Sequence, residues 1–89
     1  MKYKIFLTSR FKKDVKHLSE KDKQATMKVI DRLAAGEKLP PKYKDHPLTG
    51  NLKGYRDCHI KPDLVLIYKF EDDILILLAY RIASHSQLF

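Results

Sequence analysis

The run YKIFL at positions 3–7 is rich in β-forming residues and ends at Thr8 and Ser9, whose hydroxyls suit a helix N-cap. A strand handing over to a helix is predicted there. Phe11, Val15 and Leu18 recur at i, i+4 and i+7 between lysines, which predicts a first helix over 10–18 with one apolar stripe and a basic outer face. Ser19, with Asp22 three residues on, resembles a capping box and opens a second helix near 20, whose buried stripe is Met27, Ile30, Leu33 and Ala34. Gly36 fits a left-handed C-terminal cap and Pro40-Pro41 forbids continuation, so that helix stops near 35.

Residues 38–54, KLPPKYKDHPLTGNLKG, carry turn chemistry without sustained periodicity, and a loop of seventeen residues is predicted, a length that is usually functional or disordered in compact domains. Strands follow over 55–61, 64–70 and 74–80, separated by Lys-Pro-Asp and Glu-Asp-Asp, most simply as a meander. The last two are apolar on both faces, as for central strands paired on both edges. The expected fold is α+β: a β-α-α-β-β-β order, with a helical hairpin packed on one face of a small, mostly antiparallel sheet.

At 89 residues the chain reads as one domain spanning 1–89, with its 44% apolar content in a single core and no room for a cofactor domain. The net charge of +7 favours polyanionic partners such as nucleic acid. That charge is local: residues 1–45 hold 13 basic and 6 acidic side chains, and residues 46–89 hold 5 of each. A lone Cys58 forms no internal disulfide, and no signal peptide pattern opens the chain. The longest apolar stretches fall far short of the roughly 20 residues that cross a bilayer, so a cytoplasmic protein without membrane contact is expected.

His17 stands among lysines on the first helix, where a solvated position accounts for it. His59 shares its strand face with Tyr55 and Asp57, while Cys58 and Ile60 point to the expected core, because strand side chains alternate. On that polar face an imidazole can exchange protons near its ordinary pKa of about 6.5. A surface histidine is the plain alternative. His46 lies in the long loop, Asp63 follows Pro62 where a simple turn former is the alternative, and Arg81 ends the last strand, placed for a phosphate or for a nearby carboxylate. His85 and Phe89 fall in the tail SHSQLF, where Phe89 suits base stacking or packing on the sheet edge. Metal ligation is not expected, since no HxxxH or CxxC pair is present and the one cysteine points to the core. A phosphate-cradling glycine loop is also missing.

A metal-free ribonuclease needs a base for the 2′-hydroxyl, an acid for the departing 5′-oxygen and a cation for the phosphoryl charge, and two histidines with an arginine meet that list. KDHPL at 44–48, GYRDCHIKPD at 54–63 and R-x-x-x-H-x-x-x-F at 81–89 together resemble the YafQ branch of the RelE/ParE superfamily of bacterial toxins. The resemblance spans nearly the whole chain and implies the β-α-α-β-β-β fold read above. It implies an mRNA interferase, a toxin of a type II toxin–antitoxin system that cuts mRNA in the ribosomal A site and is neutralised by a cognate antitoxin. Carried over by position, the catalytic set is His46, His59, Asp63, Arg81, His85 and Phe89. His85 would lead proton transfer, His59 and Asp63 would support it, and His46 would stand near the scissile phosphate. Arg81 would stabilise charge and Phe89 would stack.

No cofactor is implied, and the expected partners are antitoxin, mRNA and ribosome. Some relatives carry an aromatic residue after the aspartate, whereas this chain has Leu64, so stacking there is lost. Lys12, Lys13, Lys16, Lys21, Lys23, Lys28 and Lys44 are the candidate contacts to RNA phosphate, and a solvated lysine face kept for solubility is the alternative. Two competing readings stay open: a ParE-like toxin that binds without cutting, and an RNA-binding module without catalysis.

Overall fold

Thr8 ends the first strand, β1 (Lys4–Leu7), and its hydroxyl accepts the Phe11 N–H at 3.0 Å, which starts helix α1 (Ser9–Val15). Ser19 does the same for helix α2 (Glu20–Ala34), accepting from Asp22 N at 3.1 Å. Each side chain satisfies an N–H that has no partner inside its helix. The second helix closes as its sequence predicts: Gly36 has φ +85°, its N–H reaches Leu33 O, and Glu37 N–H reaches Arg32 O. That pair of bonds satisfies carbonyls the helix end leaves free and needs the left-handed conformation glycine tolerates. The first helix is shorter than predicted, because the chain turns after Val15, with Leu18 N–H on Val15 O.

The computed structural model describes residues 2–71, 76–84 and 88, and of 76–80 the backbone alone. The predicted long loop contains two single 3₁₀ turns, Pro41–Tyr43 and Gly50–Leu52, and between them a two-residue strand, β2 (His46–Pro47). Strands β3 (Arg56–Lys61), β4 (Leu64–Glu71) and β5 (Ile76–Ala83) follow. The predicted last strand is therefore shifted: it runs through Arg81 to Ala83, and residues 74–75 lie outside the described ones.

The sheet order is β1-β5-β4-β3-β2. The last three strands form the expected antiparallel meander, β1 pairs in parallel with β5, and β2 pairs antiparallel with β3. Both β4 and β5 are central, which explains their apolar sequences. Phe11, Val29, Ile30, Leu33 and Ala34 from the helices pack on Cys58, Leu64, Leu66, Tyr68 and Ile82 from the sheet. Tyr3 N–H on Ala34 O, at 2.8 Å, ties the start of β1 to the end of α2. No helix of the described residues is long and apolar enough to cross a membrane.

Candidate active site

Strand register sets the candidate site. Residues paired across a sheet share a face, and the pairs His46–Asp57, Asp57–Ile67 and Ile67–Arg81 form one row across β2, β3, β4 and β5. His59, Val65 and Ala83 form the row two positions along β3. Between them, Cys58, Leu66 and Ile82 point to the helices, as the alternation predicted for Cys58. The expected polar face is only partly polar, however: Val65 and Ile67 are buried in it, and Asp57 is 3% exposed.

Asp57 is the residue that sequence reasoning left without a role. Its Oδ1 lies 3.1 Å from His46 Nδ1, an ion pair when the imidazole is protonated. The same Nδ1 lies 2.7 Å from Lys44 O. The Lys44 carbonyl can only accept, so a neutral His46 carries its proton on Nδ1 and leaves the lone pair on Nε2.

His46 is placed by the residue before it. Asp45 Oδ1 accepts from Arg56 Nε and Nη2, both at 2.7 Å, and Asp45 Oδ2 accepts from the Tyr68 hydroxyl. Lys44 takes a left-handed φ of 50°, and Leu48 N–H bonds Tyr55 O beyond the two paired residues. The loop is thereby pinned to β3 and β4 on both sides of His46. Tyr68 is 1% exposed, and burial together with the Asp45 carboxylate pushes its phenol up. Burial would lower the Arg56 guanidinium, but its bond to Asp45 outweighs this and its pKa is raised. Burial, then the Asp45 and Asp57 carboxylates, push the Cys58 thiol up, so it is an inert core group.

Arg81 meets the carboxylate alternative. Its Nε and Nη2 each lie 3.1 Å from an oxygen of Asp14 on α1, and Ile82 N–H adds a bond to the same carboxylate at 3.2 Å. Asp14 was missed, although it is the one acid in a lysine-rich helix and falls three residues after Phe11, on the side turned to the core. Asp63 is exposed at the β3–β4 turn, and it lines with Arg81, Asp14, His17, Lys61 and Ser84 a cleft of about 510 Å³. His17, a solvated helix position by its sequence, thus also lines this candidate cleft.

His59 lines a different cleft, and its Nδ1 lies 3.3 Å from Pro62 O. The structure therefore brings His46 and Arg81 into one row and Asp63 and Arg81 into one cleft. His85 and Phe89 lie outside the described residues. Leu64 is buried in the core, so it offers no surface for a base. Lys12, Lys13, Lys16, Lys21, Lys28 and Lys44 are exposed, whereas Lys23 is half-buried with its ammonium 4.0 Å from Glu20. Among the described residues no group of three His, Cys, Asp or Glu is arranged for a metal ion.

Two helices on one face of a five-stranded sheet, with His46, Asp57 and Arg81 in one row across its strands, suit a small acid–base nuclease. The profile of one family, described as bacterial toxin of type II toxin-antitoxin system, YafQ, matches residues 3–89. A relative named mRNA interferase toxin YafQ, from Escherichia coli, is 40% identical over 88 residues, covering 96% of this chain and 94% of the relative. The crystal structure of Escherichia coli YafQ matches with a TM-score of 0.86 at 37% identity, covering 98% of both chains. A metal-bound toxin from Helicobacter pylori matches at 0.85 and 41% identity, over 98% of this chain and 99% of that one. YafQ in the Escherichia coli DinJ–YafQ toxin–antitoxin complex matches at 0.83 and 37% identity, over 100% and 99%. The chain belongs to the YafQ family of type II toxin–antitoxin toxins.

Proposed function

We propose that this chain cuts messenger RNA in the ribosomal A site, in the cytoplasm, by attack of a ribose 2′-hydroxyl on the adjacent phosphate. As a YafQ toxin it is an mRNA interferase, an endoribonuclease, with a cognate antitoxin as its protein partner. In the proposed step the 2′-oxygen bonds to phosphorus as its proton passes to a base, and the bond from phosphorus to the 5′-oxygen breaks as an acid protonates that oxygen. The products are a 2′,3′-cyclic phosphate, or the 3′-phosphate after its hydrolysis, and a free 5′-hydroxyl.

His85 leads the proton transfers, with His59 and Asp63 supporting them. His46 stands at the scissile phosphate with its Nε2 lone pair, and Arg81, oriented by Asp14, stabilises the phosphoryl charge. Phe89 stacks on a base, and the exposed lysines of the helices together with Lys44 bind ribosomal or messenger phosphate. Acid–base groups of this kind each contribute about 10² to 10⁴ in rate, which lets a small domain act without a cofactor. The observation that carries the reading is the shared face of His46, Asp57 and Arg81, in a chain of the YafQ family.

The test is cleavage of a defined mRNA by the purified protein, with and without ribosomes and in excess chelator, beside His85→Gln. Discrete cuts that persist in chelator and vanish in the variant are expected, with ribosomes required. No cutting by the folded native chain would sink the nuclease reading.

A further inference from the structure

A second feature of the molecule bears on how RNA is held. The cleft that His59 lines has a volume of about 450 Å³, and its other walls include Lys42, Tyr43, Lys44 and Lys61. Among the described residues no carboxylate lines it. Two other clefts are mixed in sign, one with Glu37 and Asp45 among its lysines, the other with Asp14, Asp22 and Asp63. A concave surface with cations only attracts a polyanion, whereas a mixed one does so weakly.

The cleft also offers a flat face. Tyr43 packs against the core and sits in the 3₁₀ turn Pro41–Tyr43, so its ring is fixed and its flanking residues Lys42 and Lys44 are exposed. Lys42 Nζ lies 5.3 Å from the ring centroid and the Arg32 guanidinium carbon 5.9 Å. A nucleobase stacking on this ring would take the place of the Lys42 ammonium over it, and the displaced ammonium is then at hand for the adjoining phosphate. On the far wall, Lys61 Nζ lies 2.9 Å from Asp22 Oδ2, so this lysine is held in place and partly neutralised. Lys42 and Lys44 therefore carry most of the cleft's charge.

We propose that this cleft is a nucleotide subsite for single-stranded RNA: it takes a nucleotide flanking the one that is cut, with the base on Tyr43 and a phosphate between Lys42 and Lys44. The subsite rests on the nuclease reading above, because His59 connects it to the proposed chemistry. It also supplies an aromatic platform in a chain where position 64 is a buried leucine.

The test is binding of a fluorescent 2′-O-methyl RNA decamer, which cannot be cut, to the full chain over a range of salt. Tyr43→Leu is expected to weaken binding about five- to a hundredfold, the usual value of one base stack, and Tyr43→Phe to recover most of it. Lys42→Glu is expected to weaken binding and to lower the slope of log affinity against log salt by about 0.7 for each phosphate the cleft no longer neutralises. Lys38→Glu makes the same charge change in another cleft and should alter binding far less. A hairpin RNA with no free strand should compete poorly.

Native-like affinity of both Tyr43→Leu and Lys42→Glu would overturn the subsite, as would no binding by the native chain or full competition by the hairpin. Lys42→Glu leaves the core untouched, so its result stands even if Tyr43→Leu folds poorly. Cleavage measured in parallel separates the two ideas. An active native chain whose KM is unmoved by Tyr43→Leu removes the subsite alone, and an inactive native chain with the expected binding pattern removes the nuclease reading alone.

Discussion

The Arg81 guanidinium on β5 grips the Asp14 carboxylate on α1 through two bonds of 3.1 Å. β1 stops pairing with β5 at Ala79, and past that point Asp14 takes over the strand's work by accepting the Ile82 N–H. Asp14 side-chain exposure is 10% and Arg81 exposure 20%, so the pair is well shielded from water. Asp14→Ala removes the acceptor of three hydrogen bonds and should cost about 2–4 kcal/mol in a urea titration. Asp14→Asn, which keeps one oxygen, should cost less. A loss under about half a kcal/mol for Asp14→Ala would mean the pair is only a surface contact.

Tyr68 and Arg56 hold Asp45, and Asp45 holds the loop that carries His46. Tyr68→Phe leaves the ring in the core and removes one donor, so the expected loss is about 1–2 kcal/mol. Asp45→Ala should lose more, because it leaves a buried hydroxyl and a half-buried guanidinium without this acceptor. It should also slow RNA cleavage by freeing β2. Thermal unfolding and a cleavage time course on both variants check this, and full activity in Asp45→Ala would show that His46 is positioned by other means.

Cys58 should make the protein sensitive to alkali. Folding raises the thiol above its ordinary 9.0, by burial first and then by the nearby carboxylates. Between the two values the folded state holds a proton that the unfolded state has lost. Stability is therefore unaffected well below pH 9 and falls as pH rises beyond it, with a slope approaching about 1.4 kcal/mol per pH unit. Tyr68, raised from 10.0, adds a second slope about one unit later. Cys58→Ala should flatten the first of these, and the native thiol should resist thiol reagents at pH 8. Rapid labelling there would contradict the burial argument.

Local chemistry was readable from the chain, and long-range chemistry was not. Thr8, Ser19 and Gly36 mark helix ends because their bonds reach only a few residues away. The two-residue strand β2 left no pattern, since what makes it is Asp45 meeting Arg56 and Tyr68, the latter 23 positions on. Asp14 and Arg81 are 67 positions apart, and nothing in either one's neighbourhood announces the other. In the candidate site, His46, His59, Asp63 and Arg81 were found through the family motif, because each has a plain structural use when considered singly. Asp57 was passed over as an ordinary strand residue. Its burial beside His46 follows from a pairing with β2 that only the folded sheet supplies.

That pairing gives the most direct test of the site. With the Lys44 carbonyl accepting at 2.7 Å from His46 Nδ1, the neutral ring is the Nδ1–H form, and the Asp57 carboxylate 3.1 Å away favours the protonated ring. The more common free form carries its proton on Nε2, which makes the assignment visible. ¹⁵N NMR of the neutral histidine rings should show His46 as the Nδ1–H tautomer, and Asp57→Asn, which leaves the Lys44 carbonyl in place, should keep it so. If Nε2 of His46 takes up a proton at the scissile phosphate, Asp57→Asn should slow cleavage by at least about tenfold, because it removes the carboxylate 3.1 Å from Nδ1 that stabilises the imidazolium. His46→Ala should lose about 10² to 10⁴. Unchanged cleavage in both variants would leave His46 a structural residue and move proton transfer wholly to His59, Asp63 and His85.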